Sequence, residues 1–402
     1  MHPSTDESPE NMNEAKLPRR DWILLPLLGV VVVVVLAVST ELIARRTYFS
    51  LATGGESCLV RSDPVGGARG IPNSVCMEKI PEGTLTKYRF NSSGYRNDFN
   101  FGPKPPGTFR IVMIGTSMVA GFRVPREETF GALLPPELSR LTGRRIELLN
   151  EGMPWRSPRM TALHYDDVFG PKPDLILWVL SPIDIEKSPA EWAAQKDGGS
   201  HGETRHVSVI ARADLAAQAF AGSIENTFGY PQTITLLRDF LYGSASQYVK
   251  SSLNSSKYQK NFLKTEPGAE WQQRIAEFDL SAASLETQAS KEGVPVVAVL
   301  LPDRTQVAMI SMMCDWPKGF DPYKLNNELR AAITSHGGIY LDILPDFRSV
   351  LNPQRGYFAV DGHLDAHGHE IITGMLARAL TSGAVPALSN KSIPPFGPEV
   401  AQ

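Results

Sequence analysis

The sequence predicts an α/β domain with a mainly parallel sheet, carried behind a single membrane-spanning helix. Three observations predict it. Apolar runs at Ile111 to Ile114, Asp174 to Leu180 and Val294 to Leu301 are almost unbroken and rich in β-branched residues, the pattern of strands buried on both faces. Helical patterns separate these runs, giving the βαβ alternation of a parallel sheet. Ahead of them, Trp22 to Val38 carries no charge and includes six consecutive valines.

The elements follow in order. Residues 1–21 are polar and aperiodic, and are expected to be a disordered cytoplasmic tail. Residues 22–42 approach the roughly 20 apolar residues that a bilayer span requires. A buried core helix or a cleaved signal peptide would also be apolar, but Glu41 and Arg45-Arg46 stand where a small-residue cleavage site would be. Lys16, Arg19 and Arg20 precede the span and Arg45 and Arg46 follow it, a slight basic bias. A short tail before a single span favours a globular domain outside the cytoplasm, in an inner-membrane, periplasm-facing arrangement. Residues 43–107 are expected to be an extracytoplasmic linker. Within it Cys58 and Cys76 flank a turn-rich loop, and an oxidising compartment would allow them to form a disulfide; two free thiols are the alternative. Cys314 has no evident partner.

The main domain is expected over residues 108–384. After Ile114 the chain turns at Gly115-Thr116-Ser117. A helix follows over Thr129 to Leu141, disturbed by Pro135-Pro136 and ended by Gly143. Arg145 to Asn150 is the second strand, and a helix is expected near Thr161 to Val168 before the third strand ends at Ser181-Pro182. About Glu186 to Ala269 breaks the rhythm, with helical stretches at Leu215 to Ala221 and Ile234 to Tyr242, and reads as an insertion forming a lid or a surface excursion. Trp271 to Gln288 and Pro322 to Ser335 are helices, Ile339 to Leu344 a fifth strand, and Gly368 to Leu380 the last helix. A Pro-rich tail occupies 385–402.

The 402 residues carry a net charge of −3, which argues against a nucleic-acid binder. No repeat and no zinc-type Cys/His spacing is visible, so neither a metal nor another cofactor is expected. The oligomeric state is not encoded in any visible pattern. Ser117 at the carboxyl end of a buried strand lies where open α/β sheets place ligands. Asp361-Gly362-His363 lies in a loop near another strand end. There Asp361 can orient His363, and His363 can take a serine proton. A metal reading of the nearby histidines is weaker, because His367 and His369 enter a helix on different faces. A phosphate-loop reading of Gly115-Thr116-Ser117 lacks its lysine.

Gly115-Thr116-Ser117, Asn150-Glu151-Gly152 and Asp361-Gly362-His363 resemble, in order, the first, second and last motif blocks of the SGNH/GDSL hydrolase superfamily. Asn91-Ser92-Ser93-Gly94-Tyr95-Arg96 resembles the lead-in of its bacterial membrane-anchored members. The likeness covers about Phe90 to Leu380. It implies a flavodoxin-like three-layer α/β/α sandwich with Ser117 as nucleophile, His363 as base and Asp361 as its partner. It also implies oxyanion donors from the N–H groups of Ser117 and Gly152 and from an asparagine side chain. Two departures stand out: Thr116 replaces an aspartate, and Ile183 occupies the asparagine position in Ser181-Pro182-Ile183-Asp184, where it cannot donate. Either another donor, Ser181 or a lid residue, substitutes, or the site is slow. The expected substrates are carboxylic esters, often acetylated carbohydrate, with acyl transfer or non-catalytic glycan binding as alternatives. Arg304 is a weak candidate for meeting an acidic substrate.

Overall fold

The computed structural model describes residues 20–48, 58–60, 68–80, 82–154, 156–161, 164–186, 232–254, 260–313 and 315–389. The expected amino-terminal tail, the Leu215 to Ala221 helix, Cys314 and most of the Pro-rich tail lie outside them.

Helix α1 spans Asp21–Tyr48 and contains the 25-residue apolar stretch Trp22–Arg46, long and apolar enough to cross a membrane. Its valines and leucines are largely exposed. The chain then forms two small antiparallel pairs, β1 (Leu59–Val60) with β2 (Arg69–Gly70) and β3 (Val75–Glu78) with β4 (Thr86–Arg89). Cys58 and Cys76 are disulfide-bonded and tie the two pairs together. Tyr88, Phe90, Tyr95, Phe122 and Met153 form a small core of their own here. The stretch expected to be a linker therefore includes a folded β module. Its strands are two to four residues long, too short to show an apolar period.

The main sheet has five parallel strands: β5 (Thr108–Ile114), β6 (Arg145–Asn150), β7 (Leu175–Leu180), β8 (Val296–Leu300) and β9 (Ile339–Leu341). Their spatial order is β6-β5-β7-β8-β9, the doubly wound order of flavodoxin-like sheets. Every residue of β7 and β8 is buried, which explains their continuous apolar composition. Helices α3 (Phe130–Thr142) and α10 (Ala366–Thr381) pack together on one face; α7 (Ala269–Glu292) and α9 (Lys324–Ser335) pack together on the other. The result is a three-layer α/β/α sandwich. The order reverses between β5 and β7, and chain direction brings their carboxyl ends together at this switch point. Short helices start there, α2 (Ser117–Ala120) and α4 (Pro182–Glu186).

Several elements differ from expectation. Pro135 and Pro136 lie inside α3 without ending it. The helix expected over Thr161 to Val168 is two short turns, Pro158–Thr161 and Tyr165–Phe169. Strand β9 stops at Leu341, where the Asp342 side chain accepts from the Leu344 N–H and turns the chain. Of the 186–269 region, α5 (Gln232–Leu241) and α6 (Ala245–Asn254) are described. An additional helix, α8 (Arg304–Ser311), is started by a capping box between Asp303 and Gln306.

Candidate active site

Ser117 is placed by a turn that tolerates no side chain at Gly115. A Cβ there would collide with Val119 and with the Val179 carbonyl of the neighbouring strand. The turn is clamped from the far end by Arg96, the last residue of the lead-in motif. Its buried guanidinium donates to the carbonyls of Ala120 (3.2 Å), Gly121 and Val124 (2.6 Å). Burial lowers the pKa of Arg96 to about 10, so it stays charged at neutral pH. The rest of the motif builds the loop that aims it: Asn91 Oδ1 accepts from the N–H groups of Ser93 and Tyr95, both at 3.0 Å, and Gly94 takes a left-handed φ of 74°.

The three expected residues meet in one row. His363 Nε2 is 2.9 Å from Ser117 Oγ, and His363 Nδ1 is 2.6 Å from Asp361 Oδ1. The consistent tautomer has Nδ1–H donating to the carboxylate and Nε2 accepting from the serine hydroxyl. Burial raises the pKa of Asp361, but His363 and Arg123 outweigh it and hold the carboxyl well below the usual carboxylate range.

Sequence reasoning missed what holds Asp361 in place. Arg123 Nε donates to Asp361 Oδ2 at 3.2 Å, while its other arm pairs with Glu78 of β3. Tyr88 donates to Glu78 and accepts from the Arg123 N–H at 2.8 Å. Glu82 accepts from the N–H groups of Val360 and Asp361 at 2.8 and 2.9 Å. The β module thus braces the triad carboxylate from behind. Arg123 itself has a φ of 81°, left-handed for a non-glycine residue and a signature of over-determined sites.

The oxyanion side differs from what the resemblance implies. The Gly152 N–H is given to Asn150 Oδ1 at 2.9 Å, and Gly152 does not line the cavity. A Cβ at Gly152 would press on the Val119–Ala120 backbone. The glycine is there so that the second-motif loop can approach α2. Asn150 completes this contact by donating to the Val119 carbonyl at 2.7 Å. Ile183 lines the cavity, as the sequence indicated. Ser181 lines it too, with a buried hydroxyl. Among the described residues, the Ser117 N–H has no hydrogen-bonded acceptor, as is usual in the first turn of a helix. Asp184 has a structural place: its buried Oδ2 accepts from the Ser181 N–H at 2.7 Å, and burial raises its pKa to about 7.

Arg304 lines the same cavity, yet its guanidinium braces the fold instead of awaiting an acidic substrate. It donates to the carbonyls of Gln354 (3.0 Å), Ala359 (2.5 Å) and Tyr242 (2.8 Å) and stacks 4.1 Å over the Tyr248 ring. It therefore ties the end of α5 to the strand-end loop that carries Asp361 and His363. His369 is also structural: it is buried, accepts from the Phe130 N–H at 3.2 Å, and burial lowers its pKa to about 3. Among the described residues, no group of three or more His, Cys, Asp or Glu could hold a metal.

The cavity has a volume of about 860 Å³ and is lined by Ser117, Asp361 and His363 together with polar side chains that include Arg238, Tyr242, Ser252 and Lys260. That volume is far larger than an acetyl group and suits a drug-sized or sugar-sized ligand.

No protein-family model and no curated protein matches the chain. Solved structures similar to it include a catalytic mutant of an acetylxylan esterase from Geobacillus stearothermophilus, at 11% identity and a TM-score of 0.37 over 67% of this chain and 93% of that one. A lipase/acylhydrolase from Enterococcus faecalis matches at 12% identity and a TM-score of 0.34 over 67% and 94%. A GDSL-like lipase from Bacteroides thetaiotaomicron matches at 12% identity and a TM-score of 0.31 over 68% and 87%. Similarity this distant carries no argument about chemistry, which rests on the geometry above.

Proposed function

We propose that the chain is a membrane-anchored serine hydrolase of the SGNH/GDSL type that cleaves a carboxylic ester, in particular an acetyl ester on a surface glycan. The observation that carries this reading is the unbroken relay from Asp361 through His363 to Ser117. Ser117 Oγ attacks the acyl carbonyl while His363 Nε2 takes its proton, and Asp361 stabilises the resulting imidazolium. The tetrahedral oxyanion meets the Ser117 N–H and, in this proposal, the Ser181 hydroxyl. Collapse releases the alcohol, protonated by His363, and leaves an acyl-Ser117. Water, deprotonated by His363, then releases the acid and restores the serine. The anchor reading rests on the length and composition of α1, and the short tail with its slight basic bias ahead of the span favours a site outside the cytoplasm.

Transfer of the acyl group to a sugar hydroxyl uses the same steps with a different acceptor. The cavity's size and its polar lining favour keeping that reading as the second. A purely glycan-binding scaffold would not require His363 within direct hydrogen-bonding reach of Ser117.

Fluorophosphonate labelling of the full chain, followed by an acetyl-ester and acetylated-sugar panel, tests the proposal. Expected are labelling at Ser117 and ester cleavage that Ser117→Ala removes. A well-folded wild-type chain that neither labels nor cleaves any ester would refute it.

A further inference from the structure

Helix α5 is joined to α1. The Glu41 carboxylate of α1 accepts from both the N–H (3.0 Å) and the hydroxyl (2.9 Å) of Thr233, at the start of α5. Beside this bond α1 and α5 pack on each other, and Ala44 is 2% exposed in a helix whose apolar residues are largely exposed. At 1.5 Å per residue, Glu41 lies roughly 28 Å along the helix from Trp22. That is about the thickness of a hydrocarbon core. With Trp22 at one interface, the clasp at Glu41 falls at the other.

On α5, Ile234, Leu237, Phe240 and Leu241 are 42, 57, 82 and 43% exposed. Helical geometry puts all four on one side, within about a third of the circumference. Arg238 lies just beyond the Ile234 edge of that arc, and Arg238 and Tyr242, the residue after α5, line the catalytic cavity. On α1 the neighbouring Leu42 and Ile43 are also exposed, at 62 and 64%, which extends the apolar surface from α1 onto α5. Arg45 and Arg46 close the anchor's basic end. An apolar face this continuous with a bilayer span, bordered by arginines, has the make-up of an interfacial helix.

We propose that the Ile234–Leu237–Phe240–Leu241 face of α5 lies in the interfacial layer of the bilayer that α1 crosses, so that the cavity mouth is held at headgroup level. This rests on the anchor reading above. The consequence for substrate class is direct: an amphiphilic ester, with its acyl or lipid-linked part in the membrane, enters past Arg238 and Tyr242 without crossing bulk water.

The full chain, in a Cys314→Ser background, is spin-labelled at one position each by Leu237→Cys, Phe240→Cys, Val33→Cys and, as a water-facing control, Leu351→Cys. Leu351 is 88% exposed in a loop of the main domain. Each protein is reconstituted in phosphatidylcholine/phosphatidylglycerol vesicles, and collisions with oxygen (lipid-soluble) and with a nickel chelate (water-soluble) are compared. The expected result is that labels at 237 and 240 favour oxygen several-fold relative to the label at 351, at a shallower depth than 33. Labels at 237 and 240 as nickel-accessible as 351, with 33 in lipid, would overturn the interfacial helix and leave the anchor standing. A nickel-accessible label at 33 would overturn both.

Discussion

At the scale of single residues, the site depends on an arginine that neither catalyses nor belongs to a motif. Arg123 places one arm on Asp361 and the other on Glu78. Removing it by Arg123→Met leaves both carboxylates without their cation. A hydrogen bond to a charged group is worth about 1.5–3 kcal/mol, so kcat/KM at neutral pH is expected to fall by about tenfold or more, with Arg123→Lys recovering part of the loss. An unchanged kcat/KM in a variant of unchanged melting temperature would mean that Asp361 is held without Arg123. Ile183 offers the opposite experiment. One oxyanion donor is worth about 10²–10³ in kcat. Ile183→Asn restores a donor to the cavity wall and is expected to raise kcat by up to about 10²-fold with little change in KM, measured by steady-state ester hydrolysis. No gain, together with a loss in Ser181→Ala, would assign the role to Ser181.

At the scale of elements, the small β module is part of the support of the proposed catalytic site. Its disulfide joins cysteines 18 residues apart, and closing a loop of this size stabilises by about 3 kcal/mol on the chain-entropy model. Cys76→Ser is expected to lower stability by about that amount. It should reduce kcat more than it changes KM, because Glu78 and Glu82 lose their fixed positions behind Asp361. A variant with a lower melting temperature and unaltered kcat would show that the brace survives without the bond. The elements also show what was legible in the sequence. Strands β5, β7 and β8 could be read because burial on both faces leaves an uninterrupted apolar run. Ser117 and the Asp361–His363 pair could be read because each is a short local pattern. Arg123, Glu78 and Glu82 could not, since their roles exist only once segments far apart in sequence meet. Arg304 misled because a basic residue beside a site looks the same in sequence whether it meets a ligand or a carbonyl. Helix α8 was legible in principle: Asp303 and Gln306 carry the capping-box spacing, but the preceding Pro302 and the short run obscured it.

For the molecule as a whole, buried acids set how stability follows pH. Burial, with the neighbouring Asp167 charge, raises the pKa of Glu151 to about 8 from an ordinary 4.5, and burial raises Asp184 to about 7 from 3.8. Between those limits the folded chain holds protons that the unfolded chain has released. Stability contributed by these groups therefore falls as pH rises from about 4.5 towards 8. Each unit of such a difference corresponds to about 1.4 kcal/mol. Glu151→Gln, which needs no proton, is expected to gain on the wild type progressively between pH 5.5 and 8 in denaturant unfolding. A constant difference across that range would mean that Glu151 is ionised in the folded protein.

The Glu82 brace has one more consequence, for the order in which the molecule is made. Its carboxylate bonds the Asp361 N–H across 279 residues of chain. The support is synthesised early and waits for its load until nearly the whole domain has emerged. Contacts of such long sequence separation form late, after the loop-closure entropy has been overcome. Ser117 and its clamp on Arg96 can be in place well before that. On the proposed mechanism, a chain stalled short of Asp361 would thus display Ser117 with no base to deprotonate it, and an immature protein of this kind would be chemically silent on the ester bonds it passes.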